Sequence, residues 1–249
     1  MSFENRCIAF LDVLGFKELI RDAEVNRQRY DEFTKLITVV DSHVRWDNET
    51  TSPEVPEEAK PKYLFISDSI IISAPLSFNG YDGLAIVTMK AIQIAQKMLE
   101  IGFLVRGCIN IGNVWHETRN IFGTGYVDAY LGEQKAKHPR IILTEAASVH
   151  LLESEHRGSP LRDMELWIRR EEEIIAHTLC PSYARIPPIP EGSFKVYRVN
   201  ITSELEKLHS RGVRDKWQWI ANYFNDVIGQ NNLNVQKIDL SLHAPAGCL

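Results

Sequence analysis

Short apolar runs alternate along this chain with stretches in which apolar residues recur every three or four positions. Cys7 to Leu11 is an unbroken apolar run that ends at one carboxylate, Asp12, and turns through Gly15 into a helical pattern; such a run bounded by a turn reads as a buried strand. Tyr63 to Ser73, YLFISDSIIIS, reads as two strands meeting at Ser67-Asp68-Ser69 in a tight hairpin. Between them, Lys17 to Ala23 and Arg27 to Val44 carry Tyr30, Phe33, Leu36, Ile37, Val40 and Val44 at helical spacing, which predicts two helices or one interrupted helix. Asp47 to Pro61, acidic and rich in Pro and Thr, predicts an exposed loop.

After the hairpin, Tyr81 to Ile101 predicts a helix whose Leu84, Val87, Ile92, Ile94, Met98 and Leu99 pack on a sheet. Phe103 to Trp115, FLVRGCINIGNVW, predicts a central strand around Arg106. From Asn120 a glycine-punctuated turn leads into a helix through about Lys137, then a strand over Arg140 to Leu143 and a helix from Glu145 to Leu152. This order predicts an α/β (α+β) sandwich of ferredoxin-like kind over 1–153, a mixed or antiparallel sheet flanked by helices. An extension, 154–249, is expected to pack on that core with short strands at Leu166 to Ile168 and Phe194 to Val199, a Pro-rich connector between them and a helix over 203–228. The end from Gln230 reads as polar and irregular.

If the strands ending at Asp12 and Asp68 pair side by side, both carboxylates meet at one end of the sheet. Two carboxylates so close repel unless a divalent cation lies between them, and oxygen-rich sites favour Mg²⁺ or Mn²⁺. Such a site handles phosphates. The plainer alternative makes Asp12 a helix cap and Asp68 a turn residue. Arg106 within an apolar strand either faces the carboxylates or a bound anion, because buried charge is paired, or snorkels to the surface.

Composition narrows the function classes. With 249 residues, of which 44% are hydrophobic, the chain supports a real core, and its net charge of -5 gives no electrostatic footprint for nucleic acid. No apolar stretch reaches a membrane span, and the first residues lack the regions of a signal peptide. Cys7, Cys108, Cys180 and Cys248 are widely spaced, without a CxxC pair or His at zinc spacing. A cytoplasmic location with free thiols is the expectation, with no membrane or nucleic-acid partner.

Four stretches in order, AFLDVLGF, SDSIIIS, LVRGCINIG and NIFGTGYVDAYLGE, resemble the catalytic domain of class III nucleotidyl cyclases over roughly Arg6 to Thr144. The resemblance implies a homodimer with active sites at the subunit interface and two cations, Mn²⁺ or Mg²⁺, held by Asp12 and Asp68 with the Val13 carbonyl. It further implies that the amides of Leu14, Gly15 and Phe16, at a helix start, cradle a triphosphate. The departures matter as much. The family's adenine-reading Asp falls on Asn120, its transition-state Asn and Arg on Val127 and Leu131, and its adenine-reading Lys on Leu64; Ser67 stands where Gly is usual.

Loss of the purine readers is similar to the pyrimidine cyclases of bacterial Pycsar antiphage systems, which make cyclic UMP or cyclic CMP for a partner effector. That resemblance implies UTP or CTP as substrate, with UTP favoured on overall likeness to the short uridylate cyclases. Asn120 can offer a donor and an acceptor to either pyrimidine. Trp46 and Tyr63 are bulky enough to narrow a base pocket and equally suited to the core. Arg106 is the first candidate to replace the missing transition-state Arg, with Lys135 and Arg140 behind it. Two other readings stay open: a degenerate cyclase-like module that binds a nucleotide or partner without turnover, and a dinucleotide cyclase or polymerase, whose usual G-G-[DE]-[DE]-F hairpin SDSII does not match.

Overall fold

Ten residues from Glu4 to Val13 form β1, and within it Arg6 to Leu11 are buried without a break, so the strand is covered on both faces. The computed structural model describes residues 2–50, 54–117, 119–156, 163–170, 172–183, 190–207 and 210–243. β1 is followed by two helices, α1 (Phe16–Ala23) and α2 (Arg27–Thr50), then by the hairpin of β2 (Lys62–Ile66) and β3 (Ser69–Pro75). A ribbon of β4 (Ser77–Phe78) and β5 (Tyr81–Asp82) leads into α3 (Gly83–Glu100), which returns the chain to β6 (Val105–Glu117).

β1 lies antiparallel between β3 and β6, and β2 pairs with β3. The order β2-β3-β1-β6, with one helical crossover on each side of the hairpin, is the ferredoxin-like arrangement expected from the sequence. β7 (Asn120–Phe122) folds back on the end of β6; α4 (Thr124–Glu133), β8 (Ile141–Leu143) and α5 (Glu145–His156) follow. β8 runs parallel to β6, and β9 (Trp167–Arg170) and β10 (Glu173–Ala176) complete a mixed sheet in the order β2-β3-β1-β6-β8-β10-β9. The chain closes with α6 (Pro190–Glu206) and α7 (Arg211–Asn231).

Side-chain alternation divides the sheet into two faces. Cys7, Ala9, Leu11, Ile70, Ile72, Ile109 and Ile141 face α1, α2, α3 and α5 in the larger core. Ile8, Phe10, Ile71 and Val114 face the other way, where α4 covers β6 and β1, and Ile142 and Ile175 are covered by α6 and α7. α4 comes very close because the contact is made of glycines. A Cβ on Gly132 would fall 2.3 Å from Cys108 Sγ, and one on Gly112 would fall 2.8 Å from Gly125 Cα.

Two expectations for the extension change. Phe194 to Val199, expected as a short strand, lies inside α6, where Phe194, Tyr197, Ile201 and Leu205 are buried at helical spacing. The helix expected over 203–228 is the end of α6 and most of α7, parted near Ser210. Asp47 to Thr50, expected in a loop, belongs to α2. Cys248 lies outside the described residues.

Two buried histidines tie the layers together. His116 Nδ1 is 2.8 Å from Ser73 Oγ, which also accepts from Arg6 Nε, and the Tyr223 hydroxyl is 2.5 Å from His177 Nδ1. Burial pushes both imidazoles down to about 4, with the charges of Arg6 and Lys62 adding to the effect at His116. The unfolded chain takes up these protons near the ordinary value of about 6.5 and the folded chain does not, so their contribution is full above 6.5 and lost as pH falls towards 4. His116→Gln or His177→Gln should each remove about one proton from the pH dependence of urea-unfolding stability between pH 6.5 and 4. Unchanged slopes in both variants would refute this account.

Candidate active site

Asp12 stands one residue from the end of β1, opposite Ser69 on β3 and Arg106 on β6. Cross-strand partners share a face, so Arg106 Nε–H donates to Asp12 Oδ2 at 3.2 Å. The same nitrogen lies 2.5 Å from Glu133 Oε1 at the end of α4. Nε carries one hydrogen, and it is aimed at Asp12. The Glu133 contact is therefore an ion pair, and Oε1 is buried without a hydrogen-bond partner among the described residues.

Asp68 sits in the β2–β3 turn, and its carbonyl accepts the Val13 N–H at 3.0 Å, which pins the turn against the end of β1. Ser67 adopts φ 57°, the left-handed conformation that lets a two-residue loop reverse the chain. Asp12 and Glu133 thus share one guanidinium, with the Asp68 charge close enough to act on both. Burial raises the Asp12 pKa first and the Asp68 charge raises it further, while Arg106 and Lys216 oppose. Glu133 is raised by burial too, opposed by Arg106 and reinforced by Asp12 and Asp68. The cluster is short of positive charge.

Beside it the chain turns into α1 through Gly15, whose φ of 82° favours glycine and around whose missing Cβ no atom lies within 4 Å. Helix N-termini present unsatisfied N–H groups suited to anions. Of the three amides expected to hold phosphates, that of Leu14 is committed to the Leu104 carbonyl at 2.9 Å, because Leu14 continues the contact of β1 with the start of β6. Gly15 and Phe16 remain at the helix start. Phe16 buries its ring against Phe33.

The donor set suits a divalent cation: hard oxygens from Asp12 and Asp68 at adjoining strand ends, with the Glu133 carboxylate, ion-paired to Arg106, close by. Among the described residues no three His, Cys, Asp or Glu side chains are gathered to hold a metal ion alone. Small hard cations take one or two carboxylates and complete their shell with water and substrate phosphate.

The other predicted residues fall in several places. Val13 is buried in the larger core and pairs with Val105. Leu64 is half-buried on the Asp12 face of the sheet. Tyr63 points to the opposite face and packs into the larger core, so it is a core aromatic and cannot narrow a pocket beside Asp12. Trp46 falls in α2, and its side chain lies outside the described residues. Lys135 is exposed just past α4 and acts electrostatically on Cys108. Arg140 is buried and paired with Glu173 at 2.8 Å, which removes it as a free cation. Asn120 is exposed opposite Glu117, eleven residues along β6 from Arg106. At about 3.3 Å per residue that is roughly 35 Å.

Sequence reasoning missed Glu133. Its signal was present: Gly125, Ala129 and Gly132 trace a small-residue face along α4, and Glu133 lies on it. A carboxylate on such a face is buried with a partner.

No protein-family model and no curated protein matches this chain. Among solved structures it is similar to the adenylyl cyclase CyaB from P. aeruginosa, at 13% identity and a TM-score of 0.44, covering 70% of this chain and 92% of that one. It is also similar to the guanylyl cyclase domain of the RhoGC fusion protein from the aquatic fungus Blastocladiella emersonii, at 13% identity, a TM-score of 0.42 and coverage of 71% and 94%. A third is the guanylate cyclase domain of RhGC from Catenaria anguillulae in complex with GTP, at 10% identity, a TM-score of 0.40 and coverage of 70% and 95%.

The electrostatics predict a stability cost at the site. A carboxylate whose folded pKa is raised loses its contribution as pH rises through that value. Asp12→Asn should therefore match the wild type in thermal midpoint near pH 3 and exceed it at pH 7 by a few degrees, about 2–4 °C per kcal/mol for a chain of this size. A lower midpoint for the variant at pH 7 would show that Arg106 already compensates the cluster.

Proposed function

We propose that this chain is a nucleotide cyclase acting on a pyrimidine nucleoside triphosphate, converting UTP to 3′,5′-cyclic UMP and pyrophosphate. What supports it is the meeting of Asp12, Asp68 and Arg106 at one sheet end, directly before the α1 N-terminus. That places carboxylates for cations, a guanidinium for a phosphoryl group and helix amides for phosphate oxygens at one spot.

In the reaction the ribose 3′-oxygen forms a bond to the α-phosphorus as the bond from that phosphorus to the bridging oxygen breaks. Pyrophosphate leaves with the electron pair, and the hydroxyl proton passes to Asp12 or to water. Asp12, Asp68 and the Val13 carbonyl would hold two divalent cations, Mn²⁺ or Mg²⁺, which would supply acidity to the hydroxyl and positive charge beside the leaving group. Gly15 and Phe16 orient the phosphates with their amides. Arg106, which donates to Asp12 at 3.2 Å, would turn to the α-phosphoryl group, where charge develops.

Asn120 is the proposed base reader, and one chain cannot bring it to its own Asp12. The reading therefore requires a homodimer in which each copy lends Asn120 to the other's carboxylates. Ile66 on β2 and Val127, Tyr130 and Leu131 on α4 are exposed apolar residues on the Asp12 side of the sheet, a surface suited to such a partner. The product would be a second messenger for an effector in bacterial antiphage defence, and CTP to cyclic CMP is the alternative within the same mechanism. A second reading, a nucleotide-binding module without turnover, is favoured by one observation: Val127 and Leu131 are exposed apolar side chains where the family carries its transition-state Asn and Arg.

Incubation with ATP, GTP, CTP and UTP separately, with Mn²⁺ and then with EDTA, followed by mass spectrometry of products, separates these readings. Cyclic UMP that disappears with EDTA is expected; cyclic CMP would reassign the base, and no product from any nucleotide would leave the binding module. Asp12→Ala and Asp68→Ala should abolish product with the fold retained by circular dichroism, and Arg106→Ala should lower kcat by about 10²–10³-fold. Full activity in either aspartate variant would overturn the two-cation mechanism.

A further inference from the structure

α7 lies outside the stretch that resembles a cyclase, yet it runs beside the Asp12 end of the sheet. Trp219 stacks on His138, five residues past Glu133, with ring centroids 5.7 Å apart. Ile220 lines one small cavity with Leu104, Val105 and Pro139, and Val105 is the strand partner of Val13. Trp217, near the start of the helix, walls a cavity of about 470 Å³ together with Leu14, Gly15 and Glu18, the turn that opens α1. Lys216 lies one helical turn before Trp219 and Ile220 and is adjacent to Trp217. Residues three and four apart share a helix face, so Lys216 lies on the side of α7 that meets the Asp12 end of the sheet, near enough for its charge to act on Asp12.

Lys216 is half-buried and makes no hydrogen bond or ion pair with a described residue. A lysine held partly out of water is ordinarily paired. Its charge is felt at Asp12, where it favours the ionised carboxylate. Asp12 and Glu133 there share the one guanidinium of Arg106 and Asp68 adds its charge at both, while no atom lies within 4 Å of the missing Gly15 Cβ, which leaves room for an anion beside the helix start.

We infer that Lys216 is a phosphate-binding residue of this site, contributed by the C-terminal helices, and that it contacts the terminal phosphates of the nucleoside triphosphate and holds the pyrophosphate as it leaves. The inference rests on the cyclase reading for its substrate, while its chemistry, a cation for a polyphosphate, stands on the geometry. An ammonium serves here as a point charge that follows the leaving group, where a guanidinium would fix one orientation. The α6–α7 unit is thereby part of the site and not a bystander to it.

Two measurements on the full chain decide it. Calorimetric titration with inorganic tripolyphosphate should show binding by the wild type, weakened at least tenfold in Lys216→Met, restored to within about threefold in Lys216→Arg, and unchanged in Lys195→Met, an exposed charge elsewhere on α6. Steady-state kinetics with the active triphosphate should show kcat/KM down 10- to 100-fold in Lys216→Met, with pyrophosphate inhibition weakened in parallel, as expected when one positioned cation is lost. Unchanged tripolyphosphate binding and unchanged pyrophosphate inhibition in Lys216→Met would overturn the inference, as would a wild type that does not bind tripolyphosphate. Lys216-dependent tripolyphosphate binding without any cyclic product would uphold Lys216 and reject the cyclase reading. Equal thermal midpoints of Lys216→Met and wild type exclude misfolding as the cause.

Discussion

The structure depends on the burial of carboxylates at the end of its central strand. Asp12 cannot leave that position, because Arg6 to Leu11 are buried on both faces and a register slip of one residue would turn every side chain of β1 to the opposite layer. The charge is therefore fixed in place by the packing of the whole sheet. Each neighbouring element answers it: β6 with Arg106, the β2–β3 turn with a backbone clamp and a second acid, α4 with Glu133, and α1 with the start of its amide ladder. An arrangement that concentrates like charge so tightly opposes folding, and its persistence favours a role that needs the charge.

Glycine placement is what lets α4 join this arrangement. Gly112 and Gly125 bring two backbones almost into contact, and Gly132 admits the Cys108 thiol beneath the last turn. Asn110 then bridges the layers by donating to the Gly125 carbonyl and accepting from Thr144. With larger residues at these points the helix would stand off the sheet, and Glu133 would lose its reach to Arg106. The position of a buried acid is here a consequence of missing side chains a turn or more away.

Much of this was legible in the sequence where one period dominated. The apolar run into Asp12, the SDS hairpin and the α3 pattern each admit one reading, and the ferredoxin-like order follows from them. Phe194 to Val199 was illegible because Phe, Val and Tyr suit a strand by residue type, while the helical spacing of Phe194, Tyr197, Ile201 and Leu205 shows only over a longer stretch, in which Val199 is exposed. Tyr63 and Leu64 show the limit for site residues. Both sit four or five residues before Asp68, but the alternation of β2 sends them to opposite faces, which composition does not reveal. Asn120 and Asp12, expected in one site, likewise lie at opposite ends of one sheet.

That separation divides the labour of the proposed site. Base recognition, placed on Asn120, has to cross between two copies, whereas compensation of the phosphates by Arg106 and Lys216 stays within the chain that carries the carboxylates. In the family pattern the transition-state cation falls on the α4 position now occupied by Leu131, on an outer helix face that here is apolar. With Arg106 at the α-phosphoryl group in that cation's place and Lys216 on α7 at the leaving pyrophosphate, the α4 face would be free for packing against a partner without emptying the proposed site of positive charge. The C-terminal helices would then be the reason the departures on α4 are tolerable, because a cation on α7 can follow its own Asp12 through any motion between the two copies.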